Sequence, residues 1–240
     1  MEDKTMNRES NVYTILFSVV MVVIITLGLS LLHQTLRPLQ LENERVDKMR
    51  QILRSLNIEK SASEAEAEFN RLITNSYLIN EDGTRVAGTE RTATNDYAFA
   101  AVLRSTIVGL PVFEATVNGN TVYIFPMRGA GMWGPIWGYL AVNADGNTIF
   151  GATFDHTSET PGLGDAIATR PFGERYIGKE LFRGNNFTSV AVVRPGTSTA
   201  SRDYVDGISG GTITSRSVGY MMYQSIIKYE RFLRNLQAGR

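Results

Sequence analysis

The strongest pattern along the chain is a run without a single charged side chain, Val12 to Leu32, which covers 21 positions. As a helix it is long enough to cross a hydrocarbon core of about 30 Å. Thr14, Ser18, Thr26 and Ser30 fit inside it because a helical hydroxyl can bond the preceding turn. The run is longer than the apolar core of a secretory signal, and no small-x-small cleavage site follows, so it reads as a retained anchor. After Pro38 the period changes. Val46, Met49, Leu53 and Leu56 recur at spacings of three and four and predict an amphipathic helix over about Leu41 to Leu56, its stripe packing on the chain's own domain. Ser63 with Glu66 predicts a capping box for a short helix through Phe69 and Leu72.

From Leu78 onward, β-branched and aromatic runs alternate with Gly and Asn turns. Phe113–Val117 and Thr121–Phe125 flank Asn118-Gly119-Asn120, and Tyr139–Val142 and Thr148–Phe154 flank a turn containing Asp145-Gly146. Both read as β-hairpins. Val190 to Val193 reads as a further strand. A helix from about Ser215 to Leu236 closes the chain, with Val218, Met221, Met222, Ser225, Tyr229 and Phe232 inward. The fold expected is α+β: one N-terminal transmembrane helix, then a domain of antiparallel sheet with helices packed on it. The boundaries expected are a tail over 1–11, the membrane helix over 12–32, a helical connector over 33–77 and the compact domain over 78–240.

Composition removes several function classes. Basic and acidic residues balance at 24 each, and no basic patch points to nucleic acid. There is no cysteine, which excludes disulfides, thiolate metal sites and cysteine-bound iron–sulfur clusters within this chain. The two histidines are His33 and His156, so no multi-histidine metal site can form in the soluble part. The flank charges leave orientation ambiguous. Lys4 and Arg8 precede the apolar run, Arg37, Arg45, Lys48 and Arg50 follow it, and the count favours the C-terminal side as cytoplasmic.

Candidate chemistry concentrates in Asp206-Gly-Ile-Ser-Gly-Gly-Thr-Ile-Thr214, a glycine-rich turn that feeds the last helix. Gly207, Gly210 and Gly211 permit close backbone approach. The open N–H groups of a helix start favour an anion, and Ser209, Thr212 and Thr214 offer hydroxyls. On physical chemistry alone, a plain cap made by Thr212, Thr214 or Ser215 is the simpler reading. A second block, Gly131-Met-Trp-Gly-Pro-Ile-Trp-Gly-Tyr-Leu-Ala, places glycines beside Trp133 and Trp137, as a flat aromatic ligand or a plain core turn would use them. A third, His156-Thr-Ser-Glu-Thr-Pro-Gly-Leu-Gly164, brings a histidine and a carboxylate close in sequence. No dinucleotide fingerprint occurs.

The pattern D-x-x-S-G-x-T-x-T, carried by Asp206, Ser209, Gly210, Thr212 and Thr214, resembles the motif at which a flavin transferase attaches FMN. Gly211 stands where that motif usually has Ala. With the G-x-W-x-x-x-x-G-Y-L-A and E-T-P-G-L-G blocks, the chain resembles the covalent FMN-binding components of membrane redox complexes. These are the C subunit of the sodium-translocating NADH:quinone oxidoreductase and the related G subunit of the Rnf complex, and the Trp133 block favours the former.

The resemblance implies FMN esterified to Thr214 and acting as an electron relay. Ser209, Gly210, Gly211 and Thr212 would shape the turn around the phosphate. Glu159, Thr160, Leu163 and Gly164 would approach the flavin ring, with Trp133 and His156 in the same pocket. It implies as partners the other subunits of the complex, the flavin transferase during maturation and membrane lipid around residues 12–32. It also implies the bacterial inner membrane with the soluble domain on the periplasmic side, against the flank charge count. A tethered sensor with a free ligand, and a structural component whose glycine turn is only a cap, are the competing classes.

Overall fold

The computed structural model describes residues 11–104 and 109–239. Two units divide the chain, Met1–Arg45 and Val46–Arg240. The first consists, as far as it is described, of the greater part of α1 (Asn11–Ser55). Its apolar side chains, including Ile15, Phe17, Val20, Ile24, Leu27 and Leu31, are exposed. A continuous sleeve of exposed apolar side chains calls for a lipid or protein surround. Ser18 Oγ donates to Thr14 O at 2.8 Å, the back-bond expected of a hydroxyl there. Pro38 does not end the helix: it forfeits only the N–H that would reach the Gln34 carbonyl, and α1 carries on. Lys4, Arg8 and the acidic residues beside them lie outside the described residues.

The second unit is built on a five-stranded antiparallel meander: β1 (Ile73–Ile79), β2 (Leu110–Val117), β3 (Asn120–Ala130), β4 (Pro135–Asn143) and β5 (Ile149–His156), in that order across the sheet. Both expected hairpins form. Asn118 and Gly119 take φ of 51° and 81°, the two left-handed positions of a type I′ turn, and Val117 pairs with Asn120. Residues 139–142 are all buried because the sheet is covered on both faces.

On one face, Phe113, Ala115, Val122, Ile124 and Tyr139 meet Met49, Ile52 and Leu53 of α1 and Leu56 just after it. The same layer holds Phe69 of α2 (Ala62–Leu72) and Phe99 of α3 (Tyr97–Arg104). On the other face, Phe125, Met127, Ile136, Leu140 and Phe154 meet Val218, Met221, Met222 and Ile226 of α5 (Thr212–Ile226) and Phe232 of α6 (Glu230–Gln237). A short α4 (Arg170–Glu174) adds Phe172 to that layer.

Four expectations need adjustment. The capping box is Ser61 with Glu64, not Ser63 with Glu66; Glu64 accepts both the hydroxyl and the backbone N–H of Ser61. The sheet starts at Ile73, ahead of Leu78, because the chain passes from α2 directly into a strand. The end of α1 and all of α2 belong to the second unit, so residues 33–77 are no separate connector. The terminal helix is interrupted by a 3-10 turn at Ile227–Tyr229, where the Tyr229 hydroxyl donates to Pro111 O at 3.0 Å. The remaining strands are short: β6 (Phe182–Arg183) with β7 (Asn186–Phe187), and a parallel pair, β8 (Ala191–Val193) with β9 (Tyr204–Asp206).

Candidate functional site

α5 lies across β3 so closely that a Cβ at Gly129 would meet Met221 Cβ at 2.8 Å. The start of α5 thereby falls beside the turn between β3 and β4 and the loop that follows β5. The glycine segment leads into it from β9. Gly207 N–H donates to Val193 O at 2.8 Å, and Gly211 N–H to Ile208 O at 3.1 Å. Arg175 holds the segment from outside, its Nη1 donating to Asp206 O at 2.6 Å. Gly210, at φ +78°, makes the left-handed reversal between them, and a Cβ there would lie 2.5 Å from Leu163 Cδ2.

None of the three hydroxyls that sequence offered as caps performs that task. The N-cap is Gly211, which has no side chain to give. Ser215 Oγ instead accepts Ile208 N–H at 2.9 Å and donates to Gly211 O at 2.8 Å. Thr214 Oγ1 donates to Glu159 Oε2 at 2.6 Å, across 55 residues of sequence. The first turn of this 15-residue helix thus lacks a side-chain cap, and an uncapped helix start favours an anion.

Glu159 is 5% exposed and Thr214 is 2% exposed. Burial pushes the Glu159 carboxyl up. The Thr214 hydroxyl and the backbone N–H groups of Trp133 and Met132 outweigh it, and the carboxyl sits below its ordinary value. It is therefore ionised at neutral pH. Two glycines make room for the pair. A Cβ at Gly131 would come within 2.3 Å of Glu159 Oε1, and one at Gly164 within 2.7 Å of Glu159 Oε2.

Beside the pair opens a cleft of about 360 Å³, lined by Met132, Trp133, Glu159, Thr160, Leu163 and Gly164 on one side and residues 210–214 on the other. That volume is in the range of small-molecule sites, about 300–1,000 Å³. Nine of the eleven residues singled out from the sequence line it: Trp133, Glu159, Thr160, Leu163, Gly164, Gly210, Gly211, Thr212 and Thr214. Two do not. Ser209 falls before the Gly210 reversal and lines a separate, open trough with Arg175, Lys179 and Tyr204. His156 sits one layer out, its Nδ1 accepting the Glu159 N–H at 3.2 Å. Met132 and Ile213, exposed apolar residues on the rim, were not singled out, although each adjoins one that was.

The comparisons with known proteins fall on the same elements. An FMN-binding domain family matches residues 131–226, from Gly131, beside the Glu159 carboxylate, to the last residue of α5. The C subunit of the Na+-translocating NADH-quinone reductase of Vibrio anguillarum is 32% identical over 200 residues, 76% of this chain and 77% of that one. The chain belongs to the family of C subunits of the Na+-translocating NADH-quinone reductases. The C subunit of Pseudomonas aeruginosa is 28% identical and aligned over 97% of this chain and 98% of its own. The crystal structure of the C subunit from Parabacteroides distasonis is 48% identical, with a TM-score of 0.73 over 82% of this chain and 96% of that one. As a member of this family, the chain is one component of an oxidoreductase complex, and its α+β fold behind a long apolar helix is that of the family's structures.

Proposed function

We propose that this protein carries FMN as a phosphoester on Thr214 and relays electrons one at a time between other redox subunits of the Na+-translocating NADH-quinone reductase. One observation carries the reading: Thr214, the last residue of the D-x-x-S-G-x-T-x-T pattern, is also a hydroxyl in the wall of the cleft at an uncapped helix start. A phosphate there faces the positive end of α5. Gly164, which has no Cβ to approach Thr214, leaves its oxygen room to carry a substituent. Trp133 and Leu163, 63% and 41% exposed, offer apolar surface to a flat ring. Thr160, Gly210, Gly211 and Thr212 close the cleft around them.

The bound flavin would supply the redox chemistry, which no cysteine ligand or dinucleotide fingerprint of this chain can. The protein's own part is retention and environment. An ester replaces a binding equilibrium with permanent attachment, which suits a carrier whose rim is open. Residues 12–32 anchor the chain in the inner membrane, the N-terminus inside and the flavin domain on the periplasmic side. An exported transferase attaches the flavin there, and the other subunits are the electron partners.

The test is denaturing electrophoresis under ultraviolet light, on chain made in cells that contain the transferase. Flavin fluorescence should travel with the wild-type band and vanish in Thr214→Ala. A fluorescent Thr214→Ala band would move the attachment elsewhere.

A further inference from the structure

Glu159 makes more contacts than a cleft wall requires. Oε2 accepts the Thr214 hydroxyl at 2.6 Å, Oε1 accepts Trp133 N–H at 3.1 Å, and its own N–H is held by His156 Nδ1 at 3.2 Å. The two glycines that clear space for its oxygens come from different segments, Gly131 from the turn between β3 and β4 and Gly164 from the start of a short 3-10 helix. Electron relay asks for none of this. A threonine that has to become a nucleophile does: an alcohol is weakly nucleophilic at neutral pH and is activated by a base within hydrogen-bond reach, itself oriented by a third group. Thr214, Glu159 and the N–H groups that fix Glu159 have that arrangement.

We propose that Glu159 is the proton acceptor for flavin attachment, so that this protein supplies part of the machinery for its own modification. The inference rests on Thr214 being the attachment site. In the step, Thr214 Oγ1 forms a bond to the flavin-side phosphorus of a flavin dinucleotide. The bridging P–O bond breaks, and its electron pair leaves with the nucleoside monophosphate. The hydroxyl proton passes along the existing hydrogen bond to Glu159 and from there to water in the cleft. No oxidant or reductant is needed. The acceptor is ready because its carboxyl is ionised.

The inference is tested with the full chain in detergent, a purified flavin transferase and FAD, following the adduct by intact mass over time. Glu159→Gln keeps the shape and loses the base; its initial rate should fall about 10²-fold, while Glu159→Asp retains part of the wild-type rate. Glu159→Ala should be slow and regain labelling as formate is added, because a free carboxylate can occupy the vacated space. That comparison uses one protein with and without formate, so a folding defect cancels. A Glu159→Gln variant labelled at the wild-type rate, or a Glu159→Ala variant indifferent to formate, would overturn the inference and leave attachment standing. An unlabelled wild-type chain would overturn the attachment reading, and this inference with it.

Discussion

Gly164 leaves no room for a side chain beside Thr214: a Cβ there would lie 2.9 Å from Thr214 Oγ1 and 2.7 Å from Glu159 Oε2. Both contacts are with the ends of side chains, which can move, so Gly164→Ala should fold. The added methyl would force the Thr214–Glu159 pair apart at a cost of about 1–3 kcal/mol, the usual range for overfilling a packed site. Flavin labelling should fall at least tenfold while circular dichroism stays that of the wild type. Labelling at the wild-type rate would show that the attachment oxygen does not depend on this close wall.

The acid limb of stability follows from the same pair. Glu159 has a folded-state value depressed below its ordinary 4.5, so its pairing contributes stability that is complete above that value. It is lost as pH falls through the lower folded value. Between pH 8 and 5, Glu159→Gln should therefore show a constant stability difference from wild type, and below about 4.5 the two curves should converge. Thermal unfolding of the unflavinylated chain across that range is the measurement, and parallel curves down to pH 3 would contradict it.

A second buried polar group ties the end of α1 to the sheet. Gln51, 1% exposed, accepts Trp137 Nε1–H at 2.8 Å and donates to Asp47 Oδ2 at 2.6 Å and Asp155 Oδ2 at 2.8 Å. Gln51→Leu would leave an indole donor and two carboxylates without their shared partner, a loss of about 2–3 kcal/mol. For a domain of this size that is a fall in Tm of roughly 4–10 °C. An unchanged Tm would mean that water replaces the amide at no cost.

The chain has no native cysteine, which makes its topology directly testable. Ser201 is exposed. A Ser201→Cys variant should react with a membrane-impermeant maleimide in cells whose outer membrane alone has been opened. Reaction only after the inner membrane is lysed would place the domain in the cytoplasm, as the flank charges alone would have it.

What could be read from the sequence is what local chemistry dictates. Asn118-Gly119 and Asp145-Gly146 marked their hairpins because type I′ and related turns demand such residues. The stripe of Met49, Leu53 and Leu56 marked its helix by period, and these three are buried as the pattern requires. β1 escaped because no Gly or Pro separates it from α2, so Ile73–Ile79 carries no start signal. β9 escaped because it is three residues long and gains its partner, β8, through parallel pairing across a loop.

At the site, the motif residues from Gly210 to Thr214 could be picked out, whereas the pairing of Thr214 with Glu159 joins segments 55 residues apart, and no spacing rule encodes it. Ser209 shows the limit in the other direction. It belongs to the pattern, yet the left-handed turn at Gly210 directs it to a different surface.

The most direct test of the account is the mass of this protein purified with its complex from native membranes, followed by fragmentation of the peptide that spans residues 206–216. The prediction is a mass increase of one FMN less one water, localised to Thr214. An unmodified peptide, or the same adduct on Thr212 or Ser209, would contradict it.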